Sequence, residues 1–299
     1  MEAPGSFGLT LPQIEIRRLR SLSEFRGCER LQEQVWGNLA VGSEVLQVTQ
    51  KYGGAVLGAL EKGKLVGFIY AFLARYRGRL AHWSHMMAVD QQHRDQGLGF
   101  QMKLAHRELA LREGIKSVCW TYDPLQSRNA FLNIRRLGAR VEEYLTDCYG
   151  RFPSRIEKGL PSDRFVVNWQ IGSSRVERRL RGAPFGDADA GLPRINETRC
   201  NPQGFVANRR IRDSFDEPRL LLEIPSNTDE MRARALNLAQ RWRLETRRMF
   251  LGACEAGYRV VDFVVMRPDR DIRAFYVLGK EQHAKEYSTS PGGQSPDRV

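Results

Sequence analysis

Apolar positions recur along this chain with two different periods, and the changes of period mark its elements. Ile14-Glu15-Ile16-Arg17 alternates, as a short strand does. Phe25, Cys28, Leu31 and Val35 then fall on one helical face behind Ser21-x-x-Glu24, a capping box. A second short helix is predicted over 44–51. Residues 55–60 and 65–73 read as strands, with Glu61-Lys62-Gly63-Lys64 as their hairpin turn. Residues 81–89 form the next strand. Leu98, Met102, Ala105 and Leu109 share one face of a helix ending near Glu113. A strand at 117–122 runs into Asp123-Pro124, a helix at 127–137 stops at Gly138, and 141–149 is again a strand. In the second half, 164–171 and 220–224 read as strands. Residues 172–217 have no clear period. Residues 228–256 read as one long helix, with Met231, Ala235, Leu238, Trp242 and Phe250 near one face. Strands at 258–266 and 274–278 close the pattern. Residues 1–12 and 281–299 are polar or rich in Gly and Pro and are expected to be disordered.

The boundary at 86–99 carries the clearest chemistry. An apolar run ends at Val89, a polar turn follows, and Gly97 and Gly99 open a helix, giving Arg94-x-x-Gly97-x-Gly99. A helix N-terminus offers unpaired N–H groups and about half a positive charge, which suit an anion such as a pyrophosphate. Glycine lets that anion approach the backbone. The alternative is a polar loop with an ordinary helix start. The chain has no Gly-x-x-x-x-Gly-Lys-Ser/Thr, so a nucleoside-triphosphate loop is not indicated. A dinucleotide fingerprint needs a third glycine where Met102 stands.

Composition narrows the class. The chain has 299 residues, 41% of them hydrophobic, enough for one large core or two modest ones. No apolar run of membrane-spanning length and no signal-like N-terminus is present. Five scattered cysteines without a Cys-x-x-Cys read as reduced thiols and point to a cytoplasmic setting. Of the 47 basic residues eight are Lys and the other 39 Arg, and the formal net charge is +12. They are spread along the chain, and the cluster from Arg175 to Arg181 lacks interleaved aromatics, which argues against dedicated nucleic-acid binding. His82 and His85 lie three apart on a strand and face opposite sides, so no shared metal is expected.

The order of elements from 14 to 149, with Val89, Arg94, Gly97 and Gly99 at its centre, resembles the GNAT superfamily of acyl-CoA-dependent acyltransferases. Asp123-Pro124, Asn129-Ala130 and Leu137-Gly138-Ala139 fit the same pattern. Ser84-His85-Met86, Ser127-Arg128-Asn129-Ala130, Ser162-Asp163-Arg164-Phe165, Leu222-Glu223-Ile224-Pro225, Arg241-Trp242-Arg243 and Phe275-Tyr276-Val277-Leu278 further resemble a larger GNAT subclass with a C-terminal extension. The resemblance implies an α/β (α+β) fold: a GNAT-like mixed, mostly antiparallel central sheet with helices on both faces, followed by a β-α-β-β extension. The implied organisation is an acyl-CoA-binding domain at 13–150 and an extension or partial second lobe at 151–280, whose strands extend or cover the sheet.

The same resemblance implies the chemistry. The backbone from Arg94 through Asp95, Gln96, Gly97 and Leu98 to Gly99 is expected to hold the CoA pyrophosphate. Ala88 and Val89 are expected to pair with the pantetheine arm, beside a strand bulge that splays the strand at 81–89 from that at 117–122. Asn129 is a further cofactor contact. The reaction is direct transfer of an acetyl or succinyl group to the amine of a small molecule, in the subclass an amino acid, without a metal. The family's usual acid, a tyrosine, is replaced here by Ile134. Asn133, Asp123 and Tyr122 are the catalytic candidates, and Tyr149 is a substitute. Arg128 and Arg164 are candidates for a carboxylate, since Arg binds carboxylates bidentately. His93 is expected to pack. The alternative function is a non-catalytic CoA sensor, and a monomer or homodimer is expected.

Overall fold

The computed structural model describes residues 14–37, 40–150, 159–182, 191–267 and 271–280. The two segments read as disordered lie outside the described residues. β1 (Ile14–Arg18) leads to α1 (Leu22–Trp36) and α2 (Ser43–Lys51), followed by β2 (Ala55–Glu61), β3 (Lys64–Tyr76) and β4 (Arg79–Val89). A 3₁₀ turn at Gln91–His93 precedes α3 (Leu98–Arg112), β5 (Ser117–Tyr122) and α4 (Ser127–Ala130). Then come β6 (Arg140–Leu145), β7 (Arg164–Gln170), α5 (Ser174–Leu180), β8 (Asn196–Cys200), β9 (Val206–Ile211) and β10 (Arg219–Ile224). α6 (Thr228–Arg234), α7 (Leu236–Glu255), β11 (Tyr258–Met266) and β12 (Arg273–Lys280) complete the described elements.

Local chemistry explains several of these boundaries. Ser21 caps α1, and Glu24 returns the bond to the cap backbone, so the capping box is complete. Two predicted helices come out broken. The one at 127–137 begins as α4 and continues as a π-helical stretch, Phe131–Arg136, in which Leu137 N–H donates to Leu132 O. The one at 228–256 divides at Ala235, whose backbone (φ −148°, ψ 60°) leaves the helical region.

The main sheet runs β1-β2-β3-β4-β5-β7-β6, antiparallel except for β4 and β5. α1 and α2 cover one face, through Phe25, Cys28, Leu31 and Leu46 on Val56, Phe68 and Tyr70. α3 covers the other, through Leu98 and Met102 on Leu57, Ala59 and Ile69. The mixed, mostly antiparallel sheet with flanking helices is thus present. The placement of β7 differs from expectation. It neither extends nor covers the sheet but is inserted between β5 and β6, pairing Tyr122 with Phe165 on one side and Tyr144 with Phe165 on the other.

β10, β12 and β11 form a second antiparallel sheet, and with α6 and α7 they make the expected β-α-β-β unit. β8 and β9 form a hairpin in the segment without clear period. One apolar core serves both sheets. Phe165 of β7 packs on Phe250 of α7 at 4.7 Å between ring centroids, and Phe250 on Tyr276 of β12 at 5.1 Å. Carboxylates stitch the same boundary. Buried Asp163 accepts from Arg247 Nη2 (2.5 Å) and Nε (2.9 Å) and from Tyr144 Oη (2.6 Å). Asp262 takes Arg135 and Arg179, each at 2.7 Å. No helix among the described residues is long and apolar enough to cross a membrane.

Burial raises the Asp163 pKa, but the Arg247, Tyr144 and Asp147 N–H donors outweigh it and hold the carboxyl below its ordinary value. A depressed carboxylate pKa stabilises the fold above the unfolded-state value, about 3.9, and that stability is lost as pH falls through the folded-state value. Asp163→Asn leaves Arg247 without its charge partner and is expected to cost about 3–5 kcal/mol in urea unfolding at pH 7. The difference from the parent should shrink as pH drops below about 4.

Candidate active site

β4 and β5 are the one parallel pair among the named strands, and they pair only at His82↔Val118 and Trp83↔Cys119. Ser84 and Trp120 are the first residues beyond the pairing, and from there the strands diverge. The cause lies in β4. Tyr70 pairs with Met86 and Ala71 with Ser84, so His85 is an extra residue, a β-bulge. A bulge bends its strand and raises its twist. Ala88 and Val89 remain paired with Phe68 and Gly67 of β3. The other edge of this part of β4 faces the gap, where an extended, amide-bearing ligand finds backbone groups to pair with.

The gap opens toward the Arg94–Gly99 loop. Asp90 starts the 3₁₀ turn by accepting from Gln92 N–H (2.9 Å), and His93 sits between Asp90 (3.3 Å) and Glu61 (3.4 Å), a packed position. Arg94 Nε donates to Val89 O at 3.0 Å, which sets its guanidinium over the end of β4. Asp95 and Gly97 adopt positive φ, +61° and +83°. Gly97 caps α3 in the left-handed conformation, which favours glycine. Gly99 is needed for a different reason, since a Cβ there would lie 2.9 Å from Met87 Cε on β4. Among the described residues, the N–H groups from Asp95 to Gly99 have no protein acceptor. Together they form a set of uncommitted donors with a helix dipole behind it.

On the α1/α2 side of the gap stands a second group of side chains. His85 lies edge-on to Tyr70 (5.9 Å) and near Phe72 (5.8 Å), and it is open to solvent on its remaining side. Its partial burial lowers the imidazole pKa, so the ring is neutral at pH 7. By strand register Thr121 faces it across the gap. Thr121 Oγ1 and Tyr149 Oη are 3.0 Å apart, and the Arg164 guanidinium lies 5.2 Å from the Tyr149 ring centroid. Tyr149 and Arg164 are both candidates from the sequence. His85 is weighed in the sequence only as a metal ligand and not as a base, a role that depends on the bulge in β4.

Several other candidates are committed elsewhere. Tyr122 is buried in the shared core, its hydroxyl 3.3 Å from that of Tyr276, which in turn donates to Pro124 O. Burial pushes its pKa far up, so it is a packing residue and not a proton donor. Asp123 accepts from Leu125 N–H (2.8 Å) and pairs with buried Arg243 (2.5 Å), which removes it as a base. Arg128 pairs with Asp95 at 3.2 Å, so it borders the anion loop and not the acceptor side. Asn129 is exposed on α4, whereas Asn133 and Ile134 are buried on the π-helical stretch.

Beneath the gap, on the α3 side, lies a buried polar cluster. His82 Nδ1 and His106 Nε2 are 3.1 Å apart, and His82 Nε2 contacts Gly53 O. Lys103 Nζ contacts Ser84 Oγ at 3.1 Å and lies 3.8 Å from the Trp120 ring centroid.

Residues 21–138 match the model of the acetyltransferase (GNAT) family. No curated protein matches the chain. Among solved structures, the ribosomal-protein-S18-alanine N-acetyltransferase from Escherichia coli is 14% identical, covering 54% of this chain and 96% of its own, with a TM-score of 0.43. A chain of the NatC complex bound to Gag peptide and CoA is 15% identical, covering 53% and 99%, at a TM-score of 0.44. An aminoglycoside acetyltransferase from an uncultured soil metagenomic sample is 24% identical, covering 38% and 81%, at a TM-score of 0.35. Likenesses of this size carry no weight for what the chain does. The match at 21–138 spans the gap and the anion loop, and it makes this part of the chain a domain of the GNAT superfamily.

Proposed function

We propose that this protein transfers an acetyl or succinyl group from acyl-CoA to the amine of a small molecule that also bears a carboxylate, such as an amino acid. The observation that carries the reading is the gap between β4 and β5, with an anion-binding loop at its end and a neutral imidazole at its bulge. In this reading the pyrophosphate rests on the N–H groups from Asp95 to Gly99, with Arg94 and Arg128 adding charge. The pantetheine arm follows the free edge of β4 at Ala88 and Val89. Its thioester then lies at the bulge, where a β4 backbone N–H can stabilise the oxyanion.

The acceptor enters from the α1/α2 side. His85 takes the ammonium proton, directly or through one water, as a general base needs to be neutral and within reach. Arg164 offers its guanidinium to the acceptor carboxylate, and the Thr121–Tyr149 pair borders the same space. Acyl transfer at this site is the broader claim. The size of the acyl group and the amino-acid character of the acceptor are the finer ones.

Calorimetric titration with CoA, followed by thiol-release assays pairing acetyl-CoA and succinyl-CoA with an amino-acid panel, tests the reading. Absence of CoA binding would overturn it. Binding without turnover would favour a sensor. Gly97→Val forces a β-branched residue to positive φ and fills the anion cradle, so the Kd for CoA should rise at least about tenfold. His85→Gln is expected to lower kcat by about 10²–10⁴ with little change in CoA affinity. The parent should gain activity as pH rises through a value below about 6.5, as the imidazole deprotonates. His85→Gln should lack that limb.

A further inference from the structure

We propose that Lys103 protonates the CoA thiolate as it leaves, an inference that rests on the acyl-transfer reading above. The position of the amine argues for it. Ser84 and Trp120 are the first residues on β4 and β5 beyond the last pair, and Lys103 Nζ touches both, at 3.1 Å from Ser84 Oγ and 3.8 Å from the Trp120 ring centroid. The amine therefore sits at the apex of the gap, on the opposite side of the sheet from His85. A thioester that enters with its carbonyl toward the bulge presents its sulfur to this apex.

The environment of Lys103 is that of a working acid. It is 3% exposed, and its amine lies against a hydroxyl and an aromatic face. Burying an ammonium this way is costly, and a methionine would fill the space without that cost. The titratable groups facing it are His106 on its own helix and His82 on β4, both pushed toward the neutral form by burial. Glu113 lies 3.8 Å from His82, on the far side of that ring. Burial lowers the Lys103 pKa to about 7, close enough to an ordinary thiol, about 8.5, for proton transfer to proceed readily. Ile134 is aliphatic and the Tyr122 hydroxyl is held in the core by Tyr276, so neither supplies the acid.

The step balances as follows. The amine nitrogen attacks the thioester carbon, a C–N bond forms, and collapse of the adduct breaks the C–S bond. Lys103 gives its proton to the sulfur and becomes a neutral amine. The attacking nitrogen loses two protons in all, through His85. One goes to solvent, and the other matches the proton returned to Lys103 once CoA leaves and water enters the gap.

The test needs no acceptor, because free CoA serves as the probe. Thiolate absorbance of CoA bound to the full-length protein is followed against pH for the parent, Lys103→Met and Lys103→Arg, with circular dichroism confirming each fold. In the parent the bound thiol should ionise about one pH unit or more below free CoA. In Lys103→Met it should ionise at or above the free value, and Lys103→Arg should keep the downward shift. Lys103→Gln serves if the methionine variant does not fold. Equal titration in the parent and in Lys103→Met would overturn the proposal while leaving CoA binding intact. Failure of the parent to bind CoA would instead overturn the acyl-CoA reading, and this inference with it.

Discussion

The loss of pairing between β4 and β5 beyond Trp83 and Cys119 is the constraint around which the molecule is built. A sheet interior does not tolerate an unpaired backbone edge without something to hold it open and something to fill it. The bulge at His85 turns β4 away. Gly99 lets α3 sit close against Met87, and Lys103 occupies the apex. On the opposite side β5 is fixed by β7 and by bonds to the C-terminal half, where Ser127 Oγ donates to Ser226 O (2.6 Å) and Thr228 Oγ1 to Leu125 O (2.7 Å). The opening is thus preorganised, and a ligand entering it orders little that is not already ordered.

The arginine excess takes on a specific meaning in this frame. Arg247 on Asp163, Arg243 on Asp123, and Arg135 with Arg179 on Asp262 all join elements distant in sequence. Arg keeps its charge when buried, and its fork satisfies a carboxylate with two bonds. A share of the basic charge therefore serves as internal fastening. Arg94, Arg128 and Arg164 remain on the two sides of the gap, where anionic groups of the ligands are expected.

How far the sequence could be read depends on the range of the interactions. Arg94, Gly97 and Gly99 were legible because a strand end, a turn and a helix start are all local. The capping box at Ser21 and Glu24 was legible for the same reason. Asp123 and Tyr122 were misread because their partners lie far away, Arg243 at 120 residues and Tyr276 at 154. His85 was weighed only for metal binding because the place of a bulge is a property of register between two strands, not of the residue. Lys103 has no signal in the sequence, because only the packing of α3 over Ser84 and Trp120 buries it. The break at Ala235 falls on a good helix former, where propensity gives no warning.

The insertion of β7 between β5 and β6 has a consequence for how the chain is made. During synthesis β5 and β6 emerge before residues 164–170, and until then β6 has no sheet neighbour and β5 has only its short pairing with β4. The aromatic core over β7 waits longer still, for Phe250 and Tyr276. The part of the chain that holds the Arg94–Gly99 loop thus leaves the ribosome with an open sheet edge and an uncovered apolar face, the state in which nascent chains aggregate. Among the described strands β12 emerges last, and its Tyr276 closes the aromatic core that the earlier strands leave open.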